Sequence, residues 1–335
     1  MKALLLLAIL FVGLYRASLA QGFVTADGPR LLLDGQEYRA IGVNLPHLHV
    51  AYNGTWHHNA EKYGTPENAR QAVIDAIEDA ERSKVAFIRF FANPGYPIDI
   101  DKLFTRDNEE YWRQFEEVIE LCRAHNLKLV PSFNMMSTWH WYFNEPRQAL
   151  LDPGSKTYKA SYDYIRQLVT RYKDDPRILM GELANEAMLG CDVDVAGQPG
   201  MNAGLLSPGV EPRALQTRED CFTWNLLLRI YKEQTTFIKA LDPNHLVTSG
   251  DASVRAECTS RRETFPDFKY RSDTYREWIT NNLASQPEPL DVANYHIYCG
   301  PSDTTSWNAP FKLPPLQFSK VLLRPPHSPR PPGLI

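Results

Sequence analysis

The chain has little net charge, no long apolar run beyond its first 20 residues and no Cys-x-x-Cys pair. Its 36 lysines and arginines nearly balance its 40 aspartates and glutamates, which leaves a formal net charge of −4 at pH 7. This balance gives no electrostatic basis for binding nucleic acid or an anionic membrane. A spanning helix needs about 20 consecutive apolar residues, and zinc or dithiol sites commonly use closely spaced cysteine pairs. These absences argue against all of these classes.

The amino terminus has the pattern of a secretory signal. Lys2 supplies a positive charge, residues 4–15 form an apolar segment, and the small-residue sequence 18–20 precedes Gln21. This order is typical of a cleaved signal peptide, and an uncleaved anchor is the alternative. We therefore expect residues 1–20 to be removed and the remainder to be secreted to the extracellular space.

One of the five cysteines lies on a predicted helix, and the other four lie in connections between predicted elements. Cys122 follows the helical spacing of neighbouring apolar residues, so we expect a buried free thiol. The others lie in long connections between predicted elements: Cys191, Cys221, Cys258 and Cys299. In an oxidising compartment these four could form two disulfides, and the sequence does not choose among the possible pairings.

Short apolar segments alternate with amphipathic helices along most of the chain. After a hairpin at 31–38, strands are expected at 38–44, 85–91, 127–133, 178–186, 245–249 and 290–298. Helices are expected from Pro66 and at 108–125, 158–172, 221–241 and 273–284. A repeat of about 40 to 50 residues is typical of βα units in a parallel sheet. The pattern predicts an α/β fold with a parallel sheet, and the family resemblance described below implies a (β/α)8 TIM barrel with about six of its eight units in residues 21–300.

The segment 178–186 carries the strongest candidate for chemistry. It is an apolar strand, preceded by Asp175-Pro176, that ends in Asn185 and Glu186. In a (β/α)8 barrel the active site lies at the carboxyl ends of the strands, where a general acid or base would be placed. A surface or helix-capping role for Glu186 is the alternative.

Four other strand ends carry or precede polar or aromatic side chains. Arg89 lies among phenylalanines and needs a carboxylate partner if it is buried. A purely structural ion pair is the alternative to a role in the active site. His296 and Tyr298 are two residues apart and should share a face of the sixth strand. Aromatic and imidazole groups follow the first and third strands: His47, Trp56, Trp139 and His140. We expect them to line a sugar-binding cleft; a metal site near His47 and a small loop core around Trp139 are the alternatives.

These motifs resemble clan A glycoside hydrolases, particularly glycoside hydrolase family 5, over residues 30 to 300. The resemblance rests on segments 87–90, 139–140, 182–186, 242–247 and 296–298, which occur in the family's order. It implies retaining, endo-acting hydrolysis of a β-1,4-linked polysaccharide by a protein that needs no metal or cofactor.

The same resemblance implies a role for each matched residue. Glu186 would be the acid/base, Asn185 would hold the sugar 2-hydroxyl, and Arg89 would orient the nucleophile. His296 and Tyr298 would position the two carboxyl groups. Trp139 and His140 would line the subsites.

The resemblance also suggests the substrate. Segments 242–247 and 291–298 look most like the endo-β-1,4-mannanases, whereas Gly181 and Ala187 stand where those enzymes usually carry tryptophan and proline. Mannan or glucomannan is therefore the expected partner, and a cellulose-like glucan is the alternative. We expect a monomer.

The last part of the sequence departs from the family. A family member has its nucleophilic glutamate at the end of a seventh strand, but residues 299–335 contain no glutamate, and nine of these 37 residues are proline. We expect residues 301–335 to form a proline-rich tail without strands seven and eight. An incomplete or frame-shifted reading of the gene would explain this, and so would a truncated protein. A carbohydrate-binding pseudoenzyme without turnover is the competing function.

Overall fold

The computed structural model describes residues 22–52, 64–93, 103–133, 138–200, 206–207, 209–267 and 269–296. The strands are β1 (Val24–Asp27), β2 (Arg30–Leu33), β3 (Gln36–Glu37), β4 (Gly42–Asn44), β5 (Phe87–Phe91), β6 (Lys128–Ser132), β7 (Met180–Glu182) and β8 (Leu246–Thr248). The helices are α1 (Leu48–Tyr52), α2 (Pro66–Arg82), α3 (Asn108–Ala124), α4 (Thr138–Phe143), α5 (Lys156–Tyr172), α6 (Trp224–Leu241), α7 (Cys258–Thr264) and α8 (Tyr275–Ala284). The predicted signal peptide and the predicted proline-rich tail lie outside the described residues.

Strands β4 to β8 form one parallel sheet in chain order, as the alternation predicts. The predicted sixth strand continues this order through two isolated parallel bridges, Thr248 with Val292 and Ala252 with His296. Helices between successive strands cover the outer face of the sheet with a large apolar core. The described residues therefore form six consecutive strand positions of a (β/α)8 barrel, with helices between successive strands.

Strand β5 shows how the sequence separates the two faces. Ile88 and Phe90 are fully buried towards the helices, whereas Arg89 lies on the opposite face. This alternation follows from the two-residue period of a strand. A polar side chain on the inner face of a barrel strand is thereby held towards the barrel interior.

The predicted hairpin is present and closes one end of the barrel. Strands β2 and β3 pair with Leu33 opposite Gln36, around the Asp34-Gly35 turn in which both residues have positive φ. Aspartate followed by glycine suits such a turn. Leu31 and Leu33 pack against a second apolar cluster that includes Val130 and Leu179 from the central strands.

Helix boundaries follow local signals in the sequence. The Thr65 hydroxyl caps α2 by accepting a hydrogen bond from the backbone N–H of Asn68, and Pro66 occupies the first helical position. Helices α3, α5, α6 and α8 lie within three residues of their predicted bounds. No described helix has both the length and the apolar character required to cross a bilayer.

The described cysteines are all free thiols. Cys122 is buried on α3, as its spacing predicts. No disulfide joins Cys191, Cys221 and Cys258, each of which is buried, and Cys299 lies outside the described residues. Burial raises the pKa of Cys122 and of Cys258 to about 12, so both remain protonated at neutral pH.

Phe133 occupies the space beside Gly181. A Cβ added at Gly181 would lie 2.3 Å from Cζ of the Phe133 ring. Both residues line a small cavity of about 20 Å³ between the sheet and the helices, together with Phe115 and Ile238. The ring of Phe133, at the end of the neighbouring strand, therefore fills the space that a side chain at position 181 would occupy.

Gly181→Ala should lower the free energy of unfolding by about 1–3 kcal/mol, because the methyl group overpacks against Phe133. Phe133→Leu in the same chain should recover much of this loss, since it removes the ring atoms in contact. Urea unfolding of the two single variants and the double variant measures the coupling.

Gly190→Ala is the matched control, because its added Cβ would meet nothing closer than 3.6 Å. If Gly181→Ala is no more destabilising than Gly190→Ala, the packing explanation is wrong.

Candidate active site

Arg89 lies inside the barrel and is held by Glu182. Its Nε donates to both carboxylate oxygens of Glu182 at 3.0 and 2.9 Å, and its Nη2 donates to Oε1 at 2.5 Å. The side chains are 12% and 3% exposed, so the charges are largely removed from water. Each charge then depends on the other, because an unpaired buried charge is costly.

The same guanidinium fixes two amide side chains. Arg89 Nη2 donates to Asn185 Oδ1 at 2.8 Å, and Nη1 donates to Asn44 Oδ1 at 3.2 Å. Strands β4, β5 and β7 thus contribute to one polar cluster. Because its oxygen accepts from Arg89, Asn185 retains its amide nitrogen as the group that can donate to a ligand hydroxyl.

The partner of Arg89 was left unassigned by the sequence. The burial argument required a carboxylate, and the structure provides Glu182, the first residue of the 182–186 segment. The expected contact between Arg89 and a separate nucleophile is not tested by the described residues. The sequence did contain a signal for this partner, because Glu182 is an acid at an inward-facing position of β7, two strands away from Arg89.

Glu186 and His296 are paired in the structure. Nδ1 of His296 lies 3.0 Å from Oε1 of Glu186, and both side chains are partly exposed, at 20% and 17%. Glu186 has a φ of 53°, in the left-handed region, and begins a short 3₁₀ helix, Ala187–Gly190. Its backbone N–H donates to the carbonyl of Gly250 at 2.9 Å. The carboxylate is therefore accessible while its backbone is held.

Gly250 permits the close approach of the segments after β7 and β8. Its φ is +78°, and an added Cβ would lie 1.8 Å from the carbonyl oxygen of Ala184 and 2.5 Å from Cγ of Glu182. No larger residue fits there without displacing the backbone. This contact places the ends of the fourth and fifth barrel strands against each other.

Asp251 is a buried acid next to this contact that no sequence pattern singled out. It is 0% exposed; its carboxyl accepts from the backbone N–H of Met188 at 2.8 Å and from the Tyr231 hydroxyl. Burial raises the pKa of Asp251 to about 7, the two hydrogen bonds oppose the rise, and the charges of Glu182 and Glu186 add to it. A lone aspartate after a strand carries no signal by which to find it.

The aromatic segment after the third barrel strand is arranged differently from the expectation. Trp139 and His140 are only 2% and 3% exposed, and Trp139 stacks on Phe143 within the apolar core. Trp141, which follows them in the sequence, is 39% exposed. Trp141 therefore offers the exposed aromatic face of this segment, and the loop-core alternative describes Trp139.

The histidines after the first strand also separate. His47 is partly buried and makes an edge contact with Phe91. His49 is buried against Tyr111 and Phe115, and burial lowers the pKa of its imidazole to about 3. His49 is thus an uncharged core residue and not part of a cleft wall. The expected site residues Trp56 and Tyr298 lie outside the described residues.

The curated proteins that the chain resembles are named as mannan endo-1,4-beta-mannosidases. No family model matches the chain. A probable mannan endo-1,4-beta-mannosidase C of Aspergillus terreus is 26% identical over 266 residues, which cover 70% of this chain and 56% of the relative. A mannan endo-1,4-beta-mannosidase 5 of Arabidopsis thaliana is 23% identical over 301 residues, covering 83% and 59%. The chain spans about half the length of the curated relatives that it matches.

A solved structure supports the fold. An endo-1,4-beta-mannanase from Rhizomucor miehei superposes with a TM-score of 0.50 and 16% sequence identity, covering 83% of this chain and 72% of the other. At this identity the likeness concerns the fold alone. It agrees with the barrel order of the described strands and helices.

Arg89→Met should lower the free energy of unfolding by about 3–5 kcal/mol, because it leaves Glu182 buried without a counter-charge. Combining it with Glu182→Gln should cost less than the sum of the two single changes, since the double variant removes both charges. Urea unfolding of all four proteins gives the coupling energy.

Arg82→Met is the control, because Arg82 is 63% exposed on α2 and its ion pairs are at the surface. We expect a change within about 0.5 kcal/mol there. Additive effects at Arg89 and Glu182 would contradict the mutual dependence of the pair.

Asp251→Asn should remove a pH dependence of stability. An unfolded aspartate loses its proton near its ordinary pKa of 3.8, whereas the raised pKa keeps Asp251 protonated up to about pH 7 in the folded protein. Between these values the folded state binds the additional proton, so the free energy of unfolding falls as pH rises, and the loss persists above pH 7. Its size is on the order of a few kcal/mol.

Urea unfolding from pH 4 to pH 8 tests this. The wild-type protein should lose more stability over the window than Asp251→Asn, and equal slopes would show that Asp251 does not titrate as described.

Proposed function

We propose that the chain, which is similar to mannan endo-1,4-beta-mannosidases, belongs with the glycoside hydrolase family 5 mannanases and is a retaining, endo-acting hydrolase of β-1,4-linked mannan. The observation that carries the proposal is the pairing of Glu186 with His296 beside the Arg89, Glu182 and Asn185 cluster. These groups lie where the carboxyl ends of the parallel strands meet, which is the catalytic face of a (β/α)8 barrel.

Glu186 is proposed as the acid/base. It would protonate the leaving glycosidic oxygen in the first step and activate water in the second. When Glu186 is ionised, the His296 tautomer with its proton on Nδ1 donates to Oε1 across the 3.0 Å separation. His296 thereby orients the carboxylate, whose partial exposure lets a substrate reach it.

Asn185 and Arg89 are proposed to position the sugar. Arg89 holds the amide oxygen of Asn185, so the amide nitrogen can donate to the 2-hydroxyl of the sugar. Hydrogen bonds to this hydroxyl strengthen in the transition state of glycoside hydrolysis. A fixed amide makes that bond at a smaller entropic cost than a mobile one.

A retaining mechanism also needs a second carboxylate about 5 Å from the first. Glu182 is not proposed for this role, because Arg89 donates three hydrogen bonds to its two oxygens and it is 3% exposed. The nucleophile is assigned to none of the described residues. Carbohydrate binding without turnover is the second candidate function, because no described residue is assigned the role of the nucleophile.

Mannan is proposed over glucan because segments 242–247 and 291–298 resemble mannanases and because the relatives reported above are named for mannan. Trp141, the exposed indole near the barrel face, is proposed as a platform for a pyranose ring, since aromatic faces suit the apolar faces of sugars. Trp56, Tyr298, His47 and His140 remain proposed contributors to the cleft. Secretion, by removal of residues 1–20, and a monomeric state are part of the same proposal.

Glu186→Gln should lower kcat on glucomannan by about 10²–10⁴-fold, which is the usual contribution of general acid–base catalysis. The change keeps the shape of the side chain, so KM and the affinity for mannohexaose should change little. Release of reducing ends and isothermal titration calorimetry measure the two quantities, with carboxymethyl-cellulose as the competing substrate.

Glu78→Gln on α2, where the side chain is 45% exposed, is the matched control and should behave as wild type. Undiminished turnover in Glu186→Gln would remove Glu186 from the role of acid/base. Equal turnover of both polysaccharides would contradict the assignment to mannan. Mannohexaose binding without any turnover by the wild-type chain would favour the second candidate.

A further inference from the structure

We propose that Asp251 positions Glu186 for proton transfer by capping the helical turn that Glu186 begins. This inference rests on the function proposed above. Asp251 is fully buried and follows β8 by three residues, so it acts through the protein and not on a substrate. Its contacts reach the turn that follows Glu186 and the backbone of His296.

The first contact concerns the turn after Glu186. Glu186 stands at the position before the 3₁₀ helix Ala187–Gly190, where a side chain normally accepts a hydrogen bond from the second or third N–H of the helix. Glu186 makes no such capping bond. The N–H of Met188, the second helical residue, donates instead to Oδ1 of Asp251 at 2.8 Å. Asp251 therefore supplies the acceptor for the N–H that a side chain at the N-cap position would usually satisfy.

This substitution of one acceptor for another has a chemical consequence. A carboxylate that caps its own helix is directed back to the backbone and is unavailable to a substrate. With the Met188 N–H already satisfied, the Glu186 carboxylate can pair with His296. The left-handed φ of 53° at Glu186 is also held from this side, because its N–H donates to Gly250, the neighbour of Asp251.

The second contact concerns His296. Its backbone N–H donates to the carbonyl of Asp251 at 3.1 Å, and Ala252 bridges to His296 in parallel. Residues 250–252 thus connect to Glu186 on one side and to His296 on the other. The 3.0 Å contact between the two side chains depends on this shared support.

Tyr231 fixes the orientation of the Asp251 carboxyl. It is fully buried on α6, and its hydroxyl donates to Oδ2. With Oδ2 occupied in this way, Oδ1 is turned to Met188. A buried carboxyl with a partner on each oxygen has no freedom to adopt another rotamer at small cost.

Asp251→Ala tests the inference, with Asp251→Asn as the conservative variant. We expect kcat on glucomannan to fall about 10–100-fold in Asp251→Ala, because a misplacement of about 1 Å can cost 10²-fold, and KM to change little. Asn can accept from Met188 through its oxygen and donate to the Tyr231 oxygen, so Asp251→Asn should recover most of the activity.

Amide hydrogen exchange at Met188, followed by NMR in the full chain, provides a readout that does not require turnover. Exchange should be faster in Asp251→Ala than in wild type and in Asp251→Asn. Tyr164→Phe is the stability control, because Tyr164 donates a buried hydrogen bond to Ala92 in another part of the barrel. It should lower the melting temperature without changing kcat or exchange at Met188.

An unchanged kcat in Asp251→Ala would overturn the inference, and so would an equal loss of kcat in Tyr164→Phe. If the wild-type protein turns over no mannan, the proposed function is wrong. Faster exchange at Met188 in Asp251→Ala would then still support the positioning of Glu186, and unchanged exchange would overturn it.

Discussion

Enclosing an arginine and a glutamate inside a parallel barrel removes both charges from water, and only their mutual contact makes that arrangement stable. Arg89 pairs in register with Val130, and Ser132 pairs with Glu182, so the two charged residues belong to strands separated by β6. The ion pair can therefore form only when strands β5, β6 and β7 are aligned in this register. Because Arg89 also holds Asn185, the same alignment fixes the segment from which Glu186 extends.

The end of β8 supplies the second constraint on Glu186. Gly250 allows the backbone after β8 to lie against Ala184, and Asp251 then reaches Met188 beyond the glutamate. Glu186 is thereby held by backbone contacts before and after it, while its carboxylate pairs with His296. An accessible acid on a rigid backbone is the arrangement that general acid–base catalysis requires. Gly250 and Asp251 thus connect the polar cluster to the surrounding core, although neither residue is proposed to touch a substrate.

Most of the architecture could be predicted because it depends on local patterns. The βα alternation, the Asp34-Gly35 turn and the Thr65-Pro66 cap each depend on patterns within a few residues. The partner of Arg89 could not be found this way, since it depends on register across an intervening strand. Trp139 was recoverable in principle: within α4, Trp139 and Phe143 are four residues apart and share the inward face, which leaves Trp141 exposed.

The glycine at position 181 belongs to the packing between the sheet and the helices. Successive residues of a strand point to opposite faces, so Gly181 faces the helix layer when Glu182 faces the barrel interior. The cavity beside Gly181 is lined by helix residues such as Phe115 and Ile238, and Phe133 fills the adjoining space. The tryptophan that mannanases usually carry there would therefore contribute to packing between sheet and helices. Gly181 and Phe133 together determine how this part of the barrel wall is packed, on the face opposite the cluster of Arg89, Glu182 and Asn185.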